Sequence, residues 1–260
     1  MVSFVLVRNS MKKIFIAVAA ISVIIAVVMI TAINNSKGAN AMSGYNFEEM
    51  DLIQLEEPGD GQMMAVIDTT EGVIKAVLYP EYAPNTVDNF VNRANEGFYD
   101  NKSVYAIINE CLFMTGAYNE EGTQGFTNDG NPIPNENDVD LWTFKGALCS
   151  YSGQTGYGDS RFYIVDEFPI TEEEFSKLRS KKNKAGTQII PEELLSAYEE
   201  HKGIIHLAGT HTVFGQTIEG FEVVEKICDA EYDAETMRPL NEIKINSVRI
   251  TEYKSEEEVQ

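Results

Sequence analysis

Histidine and cysteine are the residue types here whose spacing most limits the available chemistry. His206 and His211 lie close together and could be asked to hold a metal, but no third ligand falls at suitable spacing. Cys111, Cys149 and Cys228 are far apart and form no CxxC pair, so they suggest no metal site either. They read as one disulfide plus a free thiol or, preferably, as three buried small hydrophobes. No metal and no cofactor is expected. The 260 residues hold 41 acidic and 20 basic side chains, a formal charge of −21. None of the acids precedes Glu48, whereas Arg8, Lys12, Lys13 and Lys37 do, so the remainder is more acidic still. Such a surface repels nucleic acid and anionic lipid headgroups. It reads as solubility in a crowded wall or extracellular space rather than as acid-specific chemistry.

Any chemistry must therefore come from a shaped site, and so from the elements that build it. These centre on Gly209 to Ile227, GTHTVFGQTIEGFEVVEKI. A turn at Gly209 and Thr210 leads into a strand, His211 to Phe214, rich in β-branched and aromatic residues. Gly215 interrupts it, as a bulge or close backbone approach would. Gly220 then opens a helix with Phe221, Val224 and Ile227 on one face. Upstream, Met64–Asp68 and Gly72–Tyr79 alternate as two strands around a turn. Pro84 opens a helix through Asn95, with Val87, Phe90, Val91 and Ala94 on one face and Gly97 ending it. Ser103 to Thr115 reads as two strands with a short connection, and Gly116 to Asp140 as a long surface loop. Trp142–Ser150, Arg161–Val165 and Asn241–Glu252 read as further strands. An apolar fraction of 43%, with 13 Phe and 12 Tyr, fits a globular protein containing β structure.

The ends differ in kind from this domain. Residues 1–10 add little, and Met11 is an alternative start, because MKKIFIAVAA reads as an export signal. Ile14 to Ile33 is a nearly unbroken apolar run, matching the ~20 residues that span a bilayer as a helix. Lys12 and Lys13 favour a cytoplasmic N-terminus, so 11–35 is expected to be a single-pass signal anchor with the domain outside the cytoplasm. Cleavage near Ala39-Asn40-Ala41 would instead release a secreted form. Residues 36–62 read as an acidic tether, 63–255 as the folded domain and 256–260 as a solvated tail.

Two widely separated segments carry a family resemblance. TTEGVIKAVLYPEYAPNTVDNFVNRANEGFYD is very similar to the start of a cyclophilin domain, and HTVFG followed by EGFEVVEKI resembles the C-terminal signature of cyclophilin-type peptidyl-prolyl isomerases. The resemblance covers roughly Met64 to Tyr253 and implies an all-β fold, a closed eight-stranded antiparallel barrel capped by two helices. Residues 166–203 depart from the family pattern and read as a helical insertion, with Thr171 and Glu174 as a capping box and Pro191 starting a second helix that Gly203 stops. Its place next to the presumed site makes it either a rim for substrate or a passive decoration.

The resemblance implies rotation about an X–Pro amide, whose uncatalysed barrier is ~18–20 kcal/mol. No bond breaks, so the site needs an apolar pocket for the proline ring and donors that grip the twisted amide better than the planar one. The family's strand FHRVIPGFMIQGG matches VYAIINECLFMTG here, so Ala106 stands at the catalytic arginine. Met114 stands at the glutamine that orients that arginine, and Cys111 and Leu112 at pocket-lining positions. An alanine cannot donate to a prolyl nitrogen. In DSRFYIV, Arg161 replaces a glutamine and could supply the missing cation from a neighbouring strand, while Tyr163 stands at the pocket phenylalanine. An ion pair with a carboxylate is the plainer role for Arg161. His206 and Leu207 match a Trp-Leu pair, His211 the pocket histidine, and Tyr151 and Ser152 an Ala-Asn pair that bonds the substrate backbone. The expected activity is isomerisation of proline-containing segments of exported proteins, with membrane contact through the N-terminal segment only. The alternative is a catalytically inactive module that binds such segments or a protein partner.

Overall fold

Alternating residues of an antiparallel hairpin set the architecture. The structure is a computed structural model that describes Met42 and residues 45–153, 155–183 and 186–255. β1 (Met63–Thr69) and β2 (Gly72–Leu78) pair antiparallel. Thr69 closes their turn: its Oγ1 accepts the N–H groups of Glu71 and Gly72 at 3.0 and 3.1 Å. The further strands are β3 (Lys102–Ser103), β4 (Ala106–Ile108), β5 (Leu112–Thr115), β6 (Ile133–Pro134), β7 (Ala147–Ser150), β8 (Tyr157–Gly158), β9 (Phe162–Val165), β10 (Val213–Glu219) and β11 (Lys244–Glu252). Nine of them form one curled antiparallel sheet in the order β3-β11-β1-β2-β10-β7-β9-β5-β4, and β6 pairs with β8 apart from it. The ladder is nine-stranded and open between β3 and β4, not the closed eight-stranded barrel expected. The segment 102–108 breaks at Val104 and Tyr105, whose N–H groups turn to Ile243 O and Met114 O.

Because side chains alternate across a strand, the sheet has two distinct faces. Ile107, Phe113, Ile164 and Leu148 are successive cross-strand partners and sit in one apolar core with Ala65, Ile67 and Ile74. α1 (Pro84–Asn95) and α4 (Phe221–Cys228) close over this core. Phe90 of α1 meets Tyr99, Phe162 and Phe214 at ring-centroid distances of 5.2, 5.4 and 5.2 Å. The N-terminus of α1 is capped from afar. Glu136 accepts the N–H groups of Asn85 and Thr86 at 3.0 and 2.8 Å, where both the orphan donors and the helix dipole favour a carboxylate.

Most expected elements occur, with two informative shifts. β10 begins at Val213 rather than His211 and runs on through Gly215. The preceding backbone is used elsewhere: Thr212 O accepts from Ser150 N–H at 2.8 Å. Gly215 does sit at a register shift, and a Cβ there would lie 2.7 Å from Val77 O. β7 begins at Ala147 rather than Trp142, because Thr143 N–H donates to the Tyr198 hydroxyl at 3.1 Å and Thr143 O accepts from Ile204 N–H at 2.8 Å.

The insertion forms α2 (Glu172–Ser180), begun by the Thr171–Glu174 capping box, and α3 (Glu192–His201). Phe175, Leu178, Leu194, Leu195 and Tyr198 build a separate core with Trp142 and Phe144. Tyr45, Phe47, Met50, Leu52 and Leu55 pack against that core, so this part of the stretch read as a tether lies against the domain. Gln54 anchors it: its side-chain carbonyl accepts Trp142 N–H, and its amide donates to Trp142 O and to Gln216 Oε1, both donations at 2.9 Å. No helix among the described residues is long and apolar enough to cross a membrane. The run Ile14–Ile33, both candidate start sites, the Ala39–Ala41 triplet and the 256–260 tail lie outside the described residues.

Candidate functional site

The opposite face of the same strands carries the candidate site. Ala106 pairs with Met114, Met114 with Tyr163, Tyr163 with Cys149, and Cys149 with Val213. Direct partners in antiparallel strands share a face, so Ala106, Met114, Tyr163 and Cys149 form one row. The row joins Cys111, Leu112, Tyr151 and Leu207 in a buried cluster separate from the core under α1 and α4. At Ala106 this row has a methyl group and no donor.

Arg161 precedes β9 and is held from three sides. Asp159 accepts its backbone N–H at 2.8 Å, Nε at 3.0 and 3.1 Å, and Nη2 at 2.6 Å. Gly122 O accepts Nη1 at 3.0 Å. A guanidinium has five N–H donors, so one on each Nη is left over. Burial opposes the charge of Arg161, but the Asp159 carboxylate outweighs it and raises the pKa. The guanidinium lies 4.9 Å from the centroid of the Tyr151 ring, and Tyr151 N–H donates to Arg161 O at 3.0 Å. Gly122 must be glycine here: its φ is +72°, and a Cβ would lie 2.2 Å from the Tyr105 ring.

Tyr151 leads in turn to His211, with ring centroids 6.3 Å apart. His211 meets Tyr163 on its other side, Nδ1 lying 2.8 Å from the Tyr163 hydroxyl. Burial lowers the His211 pKa to about 4, with a backbone contact at Gly153 opposing. The imidazole is therefore neutral at neutral pH, and the tautomer protonated at Nε2 lets the Tyr163 hydroxyl donate to Nδ1. Burial also pushes the Tyr163 phenol well above its ordinary range, so it stays protonated. Arg161, Tyr151, His211 and Tyr163 thus make a continuous series of contacts along one wall.

The remaining candidates divide. Leu207 lies fully buried in the apolar cluster, and Ser152 is buried with its hydroxyl unpartnered. His206 faces the insertion instead, its ring 5.8 Å from that of Phe168. Burial lowers its pKa, Glu174 opposes and Lys181 adds to the fall. Cys111, Cys149 and Cys228 are all free and buried. Four residues not singled out from the sequence help hold the site. Asp159 and Gly122 fix Arg161, Tyr105 packs behind Gly122, and Glu136 donates its N–H to Thr212 Oγ1 at 2.7 Å, beside His211. The Asp-Ser-Arg spacing, with an acid two residues before the arginine, was the one local signal of this arrangement.

A curled antiparallel sheet with this row of residues defines the class as cyclophilin-like. The family model described as "Cyclophilin type peptidyl-prolyl cis-trans isomerase/CLD" matches residues 64–250, and the chain belongs to that family. It is similar to a putative peptidyl-prolyl cis-trans isomerase of Staphylococcus saprophyticus, 30% identical over 196 residues, covering 75% of this chain and 95% of the relative. A putative peptidyl-prolyl cis-trans isomerase of Staphylococcus epidermidis is 29% identical over 197 residues, 76% of this chain and 96% of its own. Among solved structures, a Cryptosporidium parvum cyclophilin type isomerase crystallised in the presence of the dipeptide Ala-Pro has the same fold. Its TM-score is 0.56 at 20% identity, covering 72% of this chain and 98% of its own.

Proposed function

We propose that this chain isomerises X–Pro peptide bonds outside the cytoplasmic membrane, acting on proline-containing segments of exported proteins. The observation that carries the reading is the Arg161 guanidinium, held by Asp159 and Gly122 against the Tyr151 ring beside His211. It returns a guanidinium, paired with Asp159, to a site whose family arginine position is Ala106. Donors of this kind favour the twisted amide, whose nitrogen becomes a better acceptor as resonance is lost. With Arg161 committed to Asp159, turnover should be weak. The exported location is supported by Lys12, Lys13 and the apolar run Ile14–Ile33, and by the acidic character of the rest. The open nine-stranded sheet corresponds to the family's eight strands when β3 and β4 are counted as one; what supports this is that 102–108 bonds to β11 at its start and to β5 at its end.

A second reading, binding of proline-containing segments without turnover, is favoured by the Tyr163–His211 hydrogen bond, which puts a hydroxyl inside the pocket wall. The test is cis/trans exchange of a short Xaa-Pro peptide by the full chain alongside Ala106→Arg. Turnover in the parent supports the isomerase. A silent parent and an active Ala106→Arg would support the binding module.

A further inference from the structure

We propose that the Tyr151 hydroxyl is the hydrogen-bond donor that meets the prolyl nitrogen, with Arg161 polarising it from the ring face. This deepens the isomerase reading above and rests on it.

The polar groups along the wall can be sorted by what they already bind. Arg161 has three of its five donors on Asp159 and Gly122, and its plane is fixed against the tyrosine ring. The Tyr163 hydroxyl and His211 Nδ1 satisfy each other at 2.8 Å. Ser150 Oγ, Ser152 Oγ and Tyr105 Oη have no partner, but they are sealed in the interior, where no substrate atom arrives. Tyr151 differs from all of these. Its ring is buried in the apolar cluster, with 6% of the residue exposed. Its hydroxyl is not among the sealed unpartnered atoms, so it is the one phenol of this wall that a substrate atom can reach.

Position agrees with chemistry. Tyr151 shares the face of Cys149, one strand from Tyr163, and its ring lies between the Arg161 guanidinium and His211. A Cβ at Gly153 would lie 3.5 Å from the Tyr151 hydroxyl, and His211 meets the same Gly153 backbone. The hydroxyl therefore points to the histidine side of the site. Burial raises the Tyr151 pKa, Arg161 opposes the rise and Asp159 adds to it, so the phenol is protonated and able to donate at neutral pH. A cation over an aromatic face draws charge from the ring, which makes its O–H a stronger donor. No proton need be transferred. The O–H bonds the prolyl nitrogen as amide resonance is lost, and releases it when the amide becomes planar again. The donor thus acts on the twisted state more than on either planar one.

The test is Tyr151→Phe in the full chain, which keeps the ring and the Arg161 stack and removes the O–H alone. Peptide exchange and peptide binding are measured together with Tm. The expected result is a fall in kcat of about ten-fold or more, of the kind that follows loss of a preorganised donor, with Kd for the Xaa-Pro peptide unchanged. Parallel losses of kcat and binding in a chain of lowered Tm would show a packing role and overturn the inference. Full turnover in Tyr151→Phe beside an active parent overturns the tyrosine and leaves the isomerase reading standing. A parent without turnover overturns both.

Discussion

The two faces of one sheet teach different lessons. Ile107, Phe113, Ile164 and Leu148 point into a core of largely apolar side chains, with Phe90, Phe162 and Phe214 in mutual ring contact. Their neighbours in sequence, Ala106, Met114, Tyr163 and Cys149, point the other way, into a cluster edged by Arg161, Tyr151 and His211. The first face needs only apolar volume, which many side chains supply. Each polar group on the second also needs a partner, and losing one leaves another buried and unpaired. The proposed function places the site on the second face, so substitutions on the first should show chiefly in stability and those on the second chiefly in turnover.

The largest effect is expected where the comparison is broken from the core side. Phe90→Ala empties the centre of the aromatic cluster and should cost about 3–5 kcal/mol in denaturant unfolding; a loss below 1 kcal/mol would mean that the ring contacts are dispensable. Gln54→Ala comes next. It strands Trp142 N–H and O in a buried setting and should cost about 1–3 kcal/mol, and no change would show that residues 45–55 are not anchored there. Tyr163→Phe sharpens the other side of the comparison. It removes the hydroxyl that supports neutral His211, costs about 1 kcal/mol, and should move the His211 pKa up from about 4 in an NMR titration. The same histidine sets a smaller, pH-dependent term. Its folded pKa lies below the unfolded value of about 6.5, so the unfolded chain binds the extra proton. Stability should therefore fall as pH drops from about 6.5 towards about 4. His211→Phe should flatten that slope, and a slope unchanged by this substitution would assign it to other groups.

The core face was largely legible in the sequence. Phe90, Val87 and Ala94 recur at helical spacing, Pro84 and Gly97 mark the ends of α1, and the Gly215 bulge sits inside a β-prone run. The Thr171–Glu174 capping box could be read from two residues. The site was less legible because strand pairing, not sequence order, decides which side chains meet. Nothing local puts Tyr151 under Arg161, or turns His206 towards Phe168 rather than into the wall with His211. Residues 45–55 differ for another reason. Their acidic neighbours suggested a solvated tether, but Tyr45, Phe47, Leu52 and Leu55 pack on the insertion core and Ile53 on the site-face cluster, contacts that no local pattern announces.

The central claim is that the positive charge of this site now sits on the β9 side, at Arg161, and acts on the prolyl amide from there. The most direct test is exchange of an Xaa-Pro peptide by the full chain and by Arg161→Ala, with peptide binding measured in both. The account predicts that kcat falls about ten-fold or more, equivalent to ~1.4 kcal/mol or more of barrier, while peptide still binds. Undiminished turnover in Arg161→Ala would contradict it and return Arg161 to the role of a structural partner for Asp159.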